Sequence, residues 1–234
     1  MSVIAICGVP GSGKTLFMTY LAKKKFRSEN GLFKRLFKKT RYLNIYSNYP
    51  IKLDDKRYSF KLGLEDLNKF QNWPPDCDLI YDEFQCYFDS LDYKNFPKKV
   101  RTNLQFHRHY GINNIYILSQ HPSRIVKQAR VLINEFYDIV KFIKIPIIGV
   151  AILRFNIYYN YEDFGKSVNV KKEDVIYKFK RKIKLFRYKK VFKSYNTKYM
   201  RVLVDNKPYV PSNQFNNVDL SLEDIVSNFN IDIN

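Results

Sequence analysis

The sequence predicts an α/β fold: a mainly parallel sheet flanked by helices, with a basic antiparallel β extension on its C-terminal side. Three observations predict it. Short apolar strands alternate with helical stretches as far as residue 144, the pattern of strand–helix units. A Gly-rich turn joins the first strand directly to the first helix. Beyond Lys144 the texture changes to β-branched and aromatic residues mixed with Lys and Arg, which suits hairpin strands better than more strand–helix units. The chain divides accordingly into a core over residues 1–144, a basic β-rich extension of the same domain over 145–201, and an Asn-rich tail over 202–234.

Val3 to Cys7 is the first apolar strand, and Thr15 to Lys25 follows with Leu16, Phe17, Tyr20 and Leu21 at helical spacing. Residues 23–41 carry nine Lys and Arg against one acid, Glu29, and read as an exposed basic helix end and loop. Tyr42 to Tyr49 is a second strand closed by Pro50, and residues 63–72 form a short helix stopped by Trp73-Pro74-Pro75. Asp78 to Tyr81 is the third strand. Pro97 to Tyr110 reads as a helix ended by Gly111, Ile115 to Leu118 as a fourth strand, Ser123 to Val131 as helical, and Phe136 to Phe142 as a fifth strand. Ile147 to Tyr159 and Val175 to Phe192 supply the antiparallel strands, and Leu220 to Phe229 is a short helix in the tail.

The 234 residues are ample for a core, and 45% hydrophobic with 17% aromatic content excludes a disordered chain. Lys plus Arg number 41 against 22 Asp plus Glu, a net +19 that points to polyanions such as nucleic acid or anionic lipid, although AT-rich codon usage also raises Lys. Three cysteines, Cys7, Cys77 and Cys86, make no disulfide framework or zinc pattern and suit a reducing cytosol. The N-terminus is already a strand rather than a secretory signal, and the longest apolar run, Phe142 to Leu153, is far shorter than the ~20 residues a membrane helix needs.

Gly8-Val9-Pro10-Gly11-Ser12-Gly13-Lys14-Thr15 satisfies G-x-x-x-x-G-K-[ST] between a strand and a helix, the context the motif requires. Its glycines let successive N–H groups face phosphates, the helix start adds positive potential, Lys14 reaches the β/γ oxygens, and the Thr15 hydroxyl binds Mg²⁺. ATP with Mg²⁺ is the expected cofactor pair. Cys77 to Glu83 then ends an apolar strand in two acids: Asp82 is the second metal ligand and Glu83 orients or activates the attacking water. A second carboxylate beside the metal ligand suits hydrolysis rather than transfer to an acceptor. Gln120, at the end of the Ile115 strand, lies beside the γ-phosphate if that strand neighbours the first, and acts there as a sensor. Arg108, Arg124 and Arg130 are the candidates for the cation that stabilises phosphoryl-transfer charge, within the chain or across a subunit interface. His107 and His109 diverge at i, i+2 on a helix, so packing or a hydrogen bond to the sheet's C-terminal edge is expected of them rather than zinc.

Residues 171–201 carry thirteen Lys and Arg against Glu173 and Asp174, interleaved with Tyr177, Phe179, Phe186, Tyr188, Phe192, Tyr195 and Tyr199. Three readings stand: a single-stranded nucleic-acid surface, an anionic membrane face, or a solvated hairpin whose aromatics pack inward.

GVPGSGKT, Tyr46-Ser47-Asn48, Asp82-Glu83, Phe106-His107-Arg108-His109-Tyr110-Gly111, Ser119-Gln120-His121-Pro122 and Phe186-Arg187-Tyr188 with Ser194-Tyr195-Asn196-Thr197 together resemble the zonular occludens toxin family, which includes the gene-one morphogenesis ATPases of filamentous phages. The resemblance spans roughly residues 1 to 200. It implies a RecA-like P-loop NTPase core, related to the FtsK/HerA pumps, that powers assembly and extrusion of filamentous virions. It carries phosphate binding to Gly13, Lys14 and Thr15, metal and water roles to Asp82 and Glu83, and a sensor role to Gln120, without deciding among the arginines. Many members continue into a membrane span and an extracytoplasmic part, neither of which the sequence to Asn234 contains. The expectation is a viral ATP-hydrolysing motor that moves single-stranded DNA, coat protein or both. It works as a homo-oligomer in the host cytoplasm or peripherally on the inner face of the host membrane. A genome-packaging ATPase, a small-molecule or nucleotide kinase, and a nucleic-acid or membrane scaffold with structural ATP are the alternatives.

Overall fold

The computed structural model describes residues 1–29, 43–54, 57–63, 73, 76–88, 90–164 and 179–195. Residues 30–41 of the predicted basic loop, the helix expected over 63–72 except its first residue, residues 171–178 and the tail over 202–234 with its predicted helix lie outside the described residues.

Eight strands form one sheet: β1 (Ser2–Cys7), β2 (Asn44–Ser47), β3 (Phe60–Lys61), β4 (Cys77–Tyr81), β5 (Ile112–Ser119), β6 (Glu135–Ile145), β7 (Val150–Tyr158) and β8 (Phe179–Phe186). Their spatial order is β3-β2-β4-β5-β1-β6-β7-β8. The run from β3 to β6 is parallel, and β7 and β8 add on antiparallel to β6. The predicted mainly parallel sheet with an antiparallel extension is thus what forms. The strand β5 sits between β1 and β4, so the end of β1 and the end of β4 face each other across one strand.

The parallel strands are continuous apolar runs because both faces are covered. Val3, Ala5 and Cys7 of β1 enter one core cluster, with Leu79, Tyr81, Ile115 and Ile117. Ile4 and Ile6 enter the other, with Ile45, Ile80 and Leu118. Helix α1 (Lys14–Glu29) closes the second cluster with Leu16, Phe17, Met18, Ala22 and Phe26. Each large side chain of this kind contributes about 1.5–3 kcal/mol on burial. The first cluster is closed by Val100 and Leu104 of α2 (Lys98–Phe106) and by Ile125, Val126 and Ala129, the last on the short α3 (Lys127–Arg130).

Asp78 interrupts this apolar pattern and is accommodated by partners. Its carboxylate accepts from Lys25 Nζ at 2.5 and 2.8 Å and from the backbone and side-chain amides of Asn114 at 3.1 Å. Burial raises the Asp78 carboxyl, and the Lys25 charge with these hydrogen bonds opposes the rise.

Three elements differ from expectation. The predicted helix over 97–110 is α-helical to Phe106 and tightens to 3₁₀ over His107–Tyr110, where Gly111 at φ +81° ends it as expected. The stretch expected helical over 123–131 breaks into a 3₁₀ turn, Pro122–Arg124, an extended joint in which Ile125 and Val126 are buried, and α3. The strand expected through Phe192 ends at Phe186, and the chain turns into α4 (Tyr188–Phe192).

No helix among the described residues is long and apolar enough to cross a membrane. Cys7 and Cys77 are buried thiols and Cys86 is exposed. Burial pushes the Cys77 thiol up to about 12.

Candidate nucleotide site

The loop Gly8–Gly13 leaves β1 and feeds α1, and its backbone is fixed from both sides. Gly8 N–H donates to the Gln120 carbonyl at 3.2 Å, Ser12 N–H to the Val9 carbonyl at 3.1 Å, and Phe17 N–H to the Gly13 carbonyl at 2.8 Å. Gly13 has φ +88°, and a Cβ there would meet the Phe142 ring at 3.2 Å, so both backbone and space require glycine. The Ser12 hydroxyl is buried without a partner among the described residues. The first-turn N–H groups of the sixteen-residue α1 give the loop's end a positive potential suited to phosphate.

Lys14 is buried, and its ammonium folds back onto the loop, donating to the Gly8 carbonyl at 2.9 Å and the Val9 carbonyl at 3.3 Å. A cation hydrogen-bonded to neutral carbonyls is available to a stronger acceptor such as phosphate. Thr15 Oγ1 donates to Asp82 Oδ2 at 2.7 Å. Asp82 is buried, which pushes its carboxyl up to about 6. The Thr15 hydrogen bond and the Lys14 charge hold it down, and the Glu83 charge raises it further.

Asn48, just beyond β2, clasps the Asp82 backbone. Its Nδ2 donates to the Asp82 carbonyl at 2.8 Å and its Oδ1 accepts from Asp82 N–H at 2.9 Å. The sequence assigns Asn48 no role, although it stands in the Tyr46-Ser47-Asn48 motif of the family resemblance; its contact depends on β2 adjoining β4. Glu83 follows in a left-handed conformation, φ 49° and ψ 48°, with its N–H donating to Asp82 Oδ1 at 3.1 Å and its carboxylate accepting from the Gln85 amide. For a non-glycine residue this conformation costs about 1–3 kcal/mol, and it turns the chain sharply beside the buried aspartate.

β5 pairs with β1 and Ser119 is opposite Cys7, so Gln120 follows at the same sheet edge as the loop. Its side-chain Oε1 accepts from Arg124 Nη1 at 2.8 Å. Of the three arginines only Arg124 is tied to this edge of the site. Arg130 braces its own segment: its guanidinium donates to the Ile125 carbonyl at 2.9 and 3.2 Å and the Ser123 carbonyl at 3.0 Å, and lies 4.3 Å from the Tyr161 ring centroid. Arg108 is excluded as a cation acting within the chain. It donates to the Met1 carbonyl at 2.8 Å, at the start of β1, and the loop is at the other end of that strand. Of the two roles expected for His107 it takes packing: the ring is buried, and its Nδ1 bonds the Leu104 carbonyl at 2.9 Å within its own helical turn rather than the sheet's C-terminal edge.

Magnesium fits Thr15 and Asp82, whose oxygens converge at the foot of the loop. This hydroxyl–carboxylate pair would hold the ion.

The fold and this site define a P-loop NTPase. The model of the zonular occludens toxin (Zot) family matches residues 2–219, and the chain belongs to that family. Among solved structures it is similar to the N-terminal domain of zonular occludens toxin from Neisseria meningitidis, with 21% identity over 83% of this chain and 98% of that one and a TM-score of 0.53. The genome packaging NTPase B204 from Sulfolobus turreted icosahedral virus 2, in complex with AMPPCP, gives 12% identity over 79% and 96% of the two chains and a TM-score of 0.47. Among curated proteins none has a sequence that matches.

Proposed function

We propose that this chain is a viral ATP-hydrolysing motor for filamentous virion assembly and extrusion, moving single-stranded DNA, coat protein or both, and acting as a homo-oligomer at the cytoplasmic face of the host membrane. Membership of the Zot family over residues 2–219 supports the assembly role. The observation that carries hydrolysis is the Asp82–Glu83 pair at the foot of the loop, joined to Thr15 by the 2.7 Å hydrogen bond. A carboxylate next to the metal ligand serves water as acceptor.

In this reading Lys14 leaves the Gly8 carbonyl for the β/γ oxygens, and Thr15 and Asp82 hold Mg²⁺. Held there, the ion would supply positive charge to offset that developing in phosphoryl transfer. Glu83 orients the attacking water and accepts its proton. In the same reading Gln120 senses the γ-phosphate, and its bond to Arg124 would pass loss of that phosphate to residues 121–130. Phosphate release from ATP without any added acceptor is the test. Turnover supports the motor, whereas none in the presence of DNA and membranes contradicts it.

A further inference from the structure

Only Ile4 to Cys7 of β1 pair with β6, the last partners being Cys7 and Asp138. β6 then runs on from Ile139 to Ile145, about 23 Å at ~3.3 Å per residue, past the phosphate loop. With β7 and β8 it makes a blade whose two faces differ. One face is covered: Ala151, Leu153, Phe155 and Phe186 enter the α1 core cluster, with Phe155 5.0 Å from Phe17 and Phe186 stacked 4.6 Å from Tyr20.

The opposite face presents a row of aliphatic side chains. Ile143 is opposite Ile152, Ile152 is opposite Leu185, and Ile183 is the next residue of β8 on that face. Ile183 and Leu185 are each 61% exposed, and at the turn Ile147 and Ile148 are 95% and 63% exposed. Scattered exposed aliphatics are ordinary, but a row continuing into a bare turn marks a contact surface.

Charge and side-chain type select the occupant. Residues 139–158 and 179–195 carry eleven Lys and Arg and no Asp or Glu, so a second copy of this surface would be repelled. Single-stranded nucleic acid is held by aromatic faces, and here Phe179, Phe186, Tyr188 and Tyr195 pack inward, leaving Phe192 as the half-exposed ring of β8 and α4. An aliphatic edge within a basic field matches a bilayer of anionic phospholipid, whose headgroup boundary takes isoleucine and leucine and whose phosphates take Lys and Arg.

We propose that the Ile147–Ile148 turn and the Ile143, Ile152, Ile183 and Leu185 face dock this protein peripherally on an anionic phospholipid membrane. This deepens the reading above by naming the surface where the motor meets the envelope, and it stands or falls separately from hydrolysis. The test is co-sedimentation of the full chain, without nucleotide, with vesicles of mixed phosphatidylglycerol and phosphatidylcholine and with phosphatidylcholine alone. Binding to the mixed vesicles is expected, weakened by salt and reduced at least about tenfold in the Ile147→Ser, Ile148→Ser double variant. Leu185→Ser gives an independent second reduction, and unchanged nucleotide affinity shows that both variants are folded. Wild-type binding to mixed vesicles no stronger than to phosphatidylcholine alone, or undiminished binding by the double variant, overturns the proposal. So does loss of affinity for a single-stranded oligonucleotide in the double variant with vesicle binding intact.

Discussion

Thr15 and Asp82 are 67 residues apart in the chain, and the Thr15 hydroxyl donates a 2.7 Å hydrogen bond to Asp82 Oδ2. The bond crosses from the first turn of α1 to the end of β4 and keeps the pair together before nucleotide arrives. It also keeps a carboxylate in a buried place where ionisation is unfavourable.

That burial sets a pH dependence. Burial pushes the Asp82 carboxyl up to about 6, above the ordinary carboxylate range, so the folded protein retains a proton that the unfolded chain releases. Its contribution to stability is complete below about 4 and is lost as pH rises through about 6. Asp82→Asn therefore stabilises the nucleotide-free protein by about 1–3 kcal/mol at pH 7.5 and by almost nothing at pH 4. Thermal denaturation of the two proteins across this range checks it. The same variant loses the magnesium dependence of nucleotide binding.

Gly13→Ala tests the loop. The methyl group would meet the Phe142 ring at 3.2 Å in a backbone with φ +88°. Nucleotide affinity falls at least about tenfold by equilibrium titration, and adding Phe142→Ala restores only part, because the backbone strain remains.

Arg124 and Arg130 separate by readout. Arg130→Ala removes three backbone hydrogen bonds and the Tyr161 contact and lowers stability by about 1–3 kcal/mol. Arg124→Ala removes the hold on Gln120, leaving stability within about 0.5 kcal/mol while kcat falls at least about tenfold. Melting curves and steady-state phosphate release on both variants distinguish bracing from a role at the site.

What was legible in the sequence was local. The residues Gly8 to Thr15 encode their own turn, and Asp82-Glu83 and Gln120 sit at strand ends that any parallel sheet brings to one edge. The strand order was not local, so neither the Asn48 clasp on Asp82 nor the Lys25–Asp78 ion pair was visible beforehand. Helical spacing also does not say which end of the sheet a helix terminus reaches, so it could not show that Arg108 meets the Met1 carbonyl at the start of β1. The basic, aromatic character of the extension was evident, but its exposed face is decided by α1 and α4 covering the other one.

The central claim is that Glu83 serves water at a site made by Lys14, Thr15 and Asp82. The direct measurement is phosphate release from magnesium-ATP by the wild-type chain and by Glu83→Gln, with nucleotide affinity measured on both. The account predicts turnover without any added acceptor in the wild type, a fall of at least about a hundredfold in Glu83→Gln, and ATP affinity retained in the variant. Equal turnover by the two proteins would contradict it.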